Sequence, residues 1–309
     1  MQKDIIEKKV TPGQYFVLMF DFSKINPHLD LTEAKEELIK NLNSSLKMFY
    51  ETYAAYLGGS YADLCQTIDG KEPNMSLLNC ARHVRNAIKQ LKGIEGIYVL
   101  VDEYDAFPNN YLELPKTAAD KITWADTDVG RTFKSFWSTI KALGKEGPVR
   151  RIFATGISPL SLSVLGSAFN VTRNVSFEPD VAGLCGLTYS DLEGALKEIC
   201  QDSEACNSFL SEMTKFFNGY HFCMDRVVET VCSTETCLAY FQRILEGNTP
   251  RAEDPENCEV SEQFLRRCAA SAPVIRDFEY ALKRDDKGNF LPLVYGRFKS
   301  KFTLGDLVS

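Results

Sequence analysis

Two carboxylates close an apolar run: Ile97-Tyr98-Val99-Leu100-Val101 leads directly into Asp102-Glu103. Acids in that position can serve phosphoryl chemistry. Magnesium spreads the charge of a triphosphate and takes oxygen ligands and waters. An aspartate at a strand tip can hold one of those waters, and a glutamate beside it can orient and polarise the water that attacks. Neighbouring residues on a strand point to opposite sides, so the chain must turn past the tip before both carboxylates share a pocket. A second tip adds a hydroxyl. Arg151 to Gly156 reads as a strand ending in Thr155, which can contact a γ-phosphate or the attacking water. Each pattern also has a plain reading: a buried strand that merely ends in two acids, and a strand-to-loop turn made of Thr and Gly.

The elements that position these residues follow from apolar periodicity. Tyr15 to Phe22 is a short, continuous apolar run after Pro12-Gly13, the mark of a buried strand. Leu31 opens a long amphipathic helix with Thr32 as its N-cap, and Leu38, Leu42, Leu46 and Phe49 recur at helical spacing toward the sheet. A second helix runs from about Met75 to Leu91, with Leu78, Val84, Ile88 and Leu91 on one side. After the strand at Ile97 to Val101, Pro108 to about Asp128 reads as a polar loop, longer than most connections in compact domains. Phe133, Phe136, Trp137, Ile140 and Leu143 mark a further core helix, and Val171 to Phe177 is a candidate fourth strand. The alternation predicts an α/β fold: a parallel sheet flanked by helices, with ligands expected at the carboxyl ends of its strands. From Leu187 the pattern turns mostly helical, with Leu192, Leu196 and Ile199 on one face and Phe209, Met213, Phe216 and Phe217 on another.

The composition bounds the functions on offer. With 44% hydrophobic and 25% charged residues in 309, the chain can bury a sizeable core. A net charge of −7 excludes attraction of nucleic acid or anionic membrane by the molecule as a whole. The basic stretch from Arg276 to Lys301 reads as a solvated face. No apolar stretch follows the charged start, and no run approaches the roughly 18 apolar residues of a membrane-spanning helix. An intracellular location, cytoplasmic or nuclear, is therefore expected, with no membrane partner. Ten scattered cysteines point to free, mostly buried thiols. The spacing of His221, Cys223, Cys232 and Cys237 matches no common zinc module.

The segment Val99-Leu100-Val101-Asp102-Glu103-Tyr104-Asp105 resembles the DEYD-type Walker B strand of the predicted AAA-ATPase-like family of P-loop NTPases. Phe153 to Leu160 resembles its next strand. Phe169 to Thr172 and Gly186 to Leu192 resemble its following segment, and Phe217-Asn218-Gly219-Tyr220-His221-Phe222 is similar to its YNGYxF signature. The matches stand in family order over roughly residues 12 to 240. The resemblance implies a site for ATP and Mg²⁺ in which Asp102 serves the metal through water, Glu103 is the catalytic base and Thr155 is a sensor. Together with the change of pattern at Leu187, it implies a division into an incomplete P-loop NTPase-like α/β core at 1–185 and a mainly helical, lid-type subdomain with the start of a C-terminal region at 186–309.

One part of the family pattern has no counterpart. The family opens with an RPRRFGKS-type Walker A loop, and G-x-x-x-x-G-K followed by Ser or Thr occurs nowhere in the chain. That loop supplies backbone N–H groups and a lysine to the phosphates. In related ATPases its strand lies centrally in the sheet, so a sheet lacking it is expected to be marginal or to close differently. These considerations favour a truncated gene product or fragment that does not turn over ATP alone. The alternatives are a non-catalytic pseudo-ATPase scaffold, or the ATPase module of a nuclease-linked mobile-element or defence protein. Self-association or a protein partner is the expected contact, with nucleic acid reached only through a nuclease domain this chain lacks. Arg150 and Arg151 read as a charged strand start, an arginine-finger role being the alternative. Asp105 is expected to stabilise the loop after its strand, and Asn218, Gly219 and Tyr220 to shape a turn and pack the helical region.

Overall fold

The computed structural model describes residues 11–26, 30–109, 127–156, 172–200, 202–223 and 228–251, with a few positions between 275 and 284. The chain divides into two compact units, residues 1–173 with 301–309, and residues 174–300.

The first unit is built on three parallel strands, β1 (Tyr15–Asp21), β2 (Gly96–Asp102) and β3 (Val149–Ala154), in the order β1-β2-β3. β1 and β2 pair from Tyr15↔Gly96 to Asp21↔Asp102, and β3 joins with Phe153 opposite Leu100 and Ala154 opposite Val101. Among the described residues five helices accompany the sheet: α1 (Leu31–Leu57), α2 (Tyr61–Cys65), α3 (Pro73–Ile88), α4 (Ala106–Asn109) and α5 (Asp128–Lys145). Of these, α1 packs on β1, α3 on β2 and α5 on β3, and the same three helices pack on one another. Crossovers between parallel strands are right-handed, and both crossovers here step in the same direction. The connecting helices therefore fall on one face of the sheet.

Strand alternation matches that arrangement. Phe16, Leu18, Phe20, Ile97, Val99 and Val101 are buried on the helix-covered face. Val17, Met19 and Phe153 point to the opposite face and are 40%, 50% and 39% exposed. The core between sheet and helices is aromatic. Phe20 meets Phe136 edge-on at 5.0 Å between centroids, and Phe136 meets Trp137 at 5.2 Å. Full burial of each large apolar side chain stabilises the unit by about 1.5–3 kcal/mol.

Local signals set the helix ends. The N-cap of α1 is Asp30 rather than Thr32: its carboxylate accepts from the Thr32 and Glu33 amides at 2.8 and 2.9 Å, and Glu33 reaches back to the Asp30 amide. Gly58, with φ 77°, ends the helix in the left-handed conformation. α3 begins at Pro73, whose missing N–H costs nothing in the first turn. Its buried stripe runs through Leu77, Cys80, Ala81 and Val84, leaving Leu78 43% exposed. The small Cys80 and Ala81 carry the core-facing phase there, which a count of large side chains overlooks.

Two further expectations are corrected. Residues 172–177 carry bends and turns, not a fourth strand, and Val171 lies outside the described residues. Asn174 accepts a hydrogen bond from the Ser176 amide at 3.0 Å, an Asx turn that competes with strand pairing. Pro108 belongs to α4, so the polar segment starts after it; 110–126 lie outside the described residues.

The second unit contains α6 (Tyr189–Ile199), α7 (Ser203–Phe217), a short antiparallel pair β4 (Asn218–Tyr220) and β5 (Val231–Cys232), and α8 (Thr234–Leu245). Leu192, Leu196, Leu210, Met213, Phe217, Tyr240 and Phe241 form its core. Phe216 is not part of it: the ring is 42% exposed, with the Lys215 ammonium 4.9 Å above it. Nor do Asn218, Gly219 and Tyr220 pack inward; all three are exposed in β4. The eight described cysteines are free thiols, five of them buried.

Candidate functional site at the strand tips

The carboxyl ends of the three strands bring a row of polar side chains to one face. Asp21 and Asp102 are register partners on β1 and β2. Thr155 follows β3 and extends its pairing by one step: its amide donates to the Val101 carbonyl at 2.8 Å, and its carbonyl accepts from the Tyr104 amide at 3.0 Å. The Thr155 hydroxyl donates to Asp102 Oδ1 at 2.6 Å, a length typical of charge-assisted bonds. The Glu103 amide donates to the same oxygen at 3.1 Å.

Glu103 is where the chain turns past the tip. Its φ of 49° makes it the one described non-glycine residue in the left-handed region, a conformation that concentrates at functional sites. Partial burial, then the neighbouring carboxylates of Asp102, Asp105 and Asp21, hold its carboxyl above the ordinary 4.5. That direction suits a group that must take up a proton near neutrality.

Beside the tips the loops after β2 and β3 pack closely. Asp105 is 2% exposed. A Cβ on Gly156 would come within 2.3 Å of Asp105 Oδ1 and 2.7 Å of the Tyr104 ring, so only glycine fits between them. Burial and the Asp105 charge push the Tyr104 phenol up to about 12. Asp105 thus sits in the loop after β2, packed against the loop after β3.

Asp21 was not singled out by its sequence context, although the same signal marks it as marks Asp102: an apolar run ending in an acid. Its Oδ1 accepts from the Ser23 amide and hydroxyl at 3.0 and 2.6 Å, and its Oδ2 meets the Lys24 ammonium at 3.1 Å. Desolvation pushes its carboxyl up, but the Ser23 and Lys24 contacts together outweigh it and hold the group below its ordinary 3.8. Asp21 therefore contributes charge to the row while its own oxygens are engaged.

Other residues of interest fall elsewhere. Arg150 binds the Glu95 and Gly147 carbonyls at the amino end of the sheet. Arg151 precedes Thr155 by four positions, about 13 Å along a strand. His221 bonds the Val228 carbonyl at 3.0 Å, and no group of three or more metal-ligating side chains occurs among the described residues. Ile157 to Leu160 and Phe169 to Val171 lie outside the described residues.

The donor set at the tips is all oxygen, as a hard cation such as magnesium requires. With both described bonds falling on Oδ1, Asp102 Oδ2 accepts none from the described residues. The residues therefore fit the metal that a nucleotide site would need.

The fold and these tips together define an α/β protein with a parallel sheet and a polar row at its carboxyl edge. The family model described as Predicted AAA-ATPase matches residues 3–165, and the chain belongs to that family. No curated protein and no solved structure matches it. Among the described residues, no helix is long and apolar enough to cross a membrane.

Proposed function

We propose that the strand tips are the magnesium-and-base side of an ATP site. The observation that carries this reading is the convergence of Asp102, Glu103 and Thr155 at adjacent tips of a parallel sheet in a chain of this family. Asp102 would hold a magnesium-bound water, and Glu103 would take the proton of the attacking water. Bound magnesium would supply charge neutralisation for the phosphates. Thr155 is the polar residue of the adjoining tip.

The same reading has the chain, by itself, not turning over ATP. No Walker A sequence is present to grip the phosphates, and positioning supplies most of the catalysis in phosphoryl transfer. The test is an ATPase assay on the purified chain and on Glu103→Gln. No turnover above the Glu103→Gln background is expected. Magnesium-dependent turnover abolished by Glu103→Gln would refute the claim of inactivity while upholding the assigned site. A second reading, a non-catalytic scaffold, draws on the apolar outer face at Val17, Met19 and Phe153.

A further inference from the structure

Resting on that reading, we propose that Thr155 is a positioning residue for the metal carboxylate, acting through Asp102 rather than on a phosphate oxygen. A threonine hydroxyl has one proton to give. Here it is given to Asp102 Oδ1 at 2.6 Å, while the Val101 carbonyl at 3.5 Å is too distant to compete. A γ-phosphate oxygen is an acceptor, so a donated bond to it would require breaking the bond to Asp102.

The carboxylate is loaded unevenly. Thr155 and the Glu103 amide both donate to Oδ1, and no described residue donates to Oδ2. Two donors on one oxygen fix the rotation of the carboxylate about its last bond. Oδ2 is left as the open site for a cation or its water. Outer partners of this kind orient metal-binding groups and tune their affinity.

The placement of Thr155 is itself secured. Its amide and carbonyl are both bonded to the β2 chain, and the next residue is a glycine seated on buried Asp105. The hydroxyl is thus held by backbone bonding on one side and by packing on the other, so it meets Asp102 without a search.

Manganese, which reports its own binding by electron paramagnetic resonance, is the probe. The full chain is titrated with Mn²⁺ as wild type, Asp102→Asn, Thr155→Val and Thr155→Ser, each checked for an intact melting transition. Wild type is expected to bind, and Asp102→Asn to lose binding. Thr155→Val should bind at least about tenfold more weakly, the usual effect of removing an outer partner, and Thr155→Ser should recover the affinity. If Thr155→Val does not fold, Thr155→Ala is judged by the same criteria. A hydroxyl-free variant that binds Mn²⁺ as wild type does would overturn the positioning role and leave the cation site standing. Absence of binding by wild type, or unchanged binding by Asp102→Asn, would overturn the cation site and the positioning role with it.

Discussion

The two faces of the sheet are made by the same three strands yet do opposite things. On the inner face, Phe16, Leu18, Phe20, Val99 and Val101 are sealed under α1, α3 and α5. On the outer face, Val17, Met19 and Phe153 are accessible, and the row ends in Asp21, Asp102 and Thr155. Parallel sheets are ordinarily covered on both sides. The difference follows from topology: two right-handed crossovers in one direction place the described helices α1, α3 and α5 on one side. Stability is thus concentrated on one face and candidate chemistry on the other.

That division can be broken by substitution. Trp137→Ala, beneath the inner face, should cost about 3–5 kcal/mol through lost burial and a cavity, read as a shift in the urea unfolding midpoint. An equally large loss from an outer-face substitution would contradict the division. At the tips, Glu103→Gly should raise stability by about 1–2 kcal/mol by removing a side chain from the left-handed region. The loss of repulsion from Asp102, Asp105 and Asp21 works in the same direction. Thermal melts at neutral pH would check it, and a lowered midpoint would argue against a strained tip.

Asp21 tests the tip row by pH. Its folded-state pKa lies below the ordinary 3.8, so its charge contributes stability above that value. The contribution is lost as pH falls through the lower, folded-state value. Asp21→Asn should therefore be less stable than wild type at pH 7, with the two unfolding curves converging under strongly acidic conditions. A gap independent of pH would locate the effect outside the carboxyl charge. The smallest effect is expected at Met19→Thr, within about 0.5 kcal/mol by urea unfolding, because the side chain is half in solvent.

How far the sequence disclosed this arrangement depends on distance along the chain. The strand ending in Asp102-Glu103, the helix through Phe133, Phe136 and Trp137, and the strand before Thr155 were legible because their signals are local. Periodicity erred where small residues carry the buried phase, as Cys80 and Ala81 do beside Leu78 and Cys206 does on the helix of Phe216. The place of Asp21 in the row was hidden, since it depends on register with a strand far downstream. So was the seating of Gly156 on Asp105, a contact between two loops that follow different strands. The positive φ of Glu103 had no sequence mark either, because left-handed positions usually advertise themselves by glycine or asparagine.

The parallel pairing of β1 also has a consequence in time. Tyr15 meets Gly96, a separation of 81 residues. A ribosome adding about 5–20 residues per second needs roughly 4–16 seconds to supply that partner. During the wait α1 follows directly, and its capping box can form without any distant contact. One side of the nascent strand can then be sheltered early, while Val17, Met19 and the strand's unpaired backbone remain open to chaperones until β2 emerges.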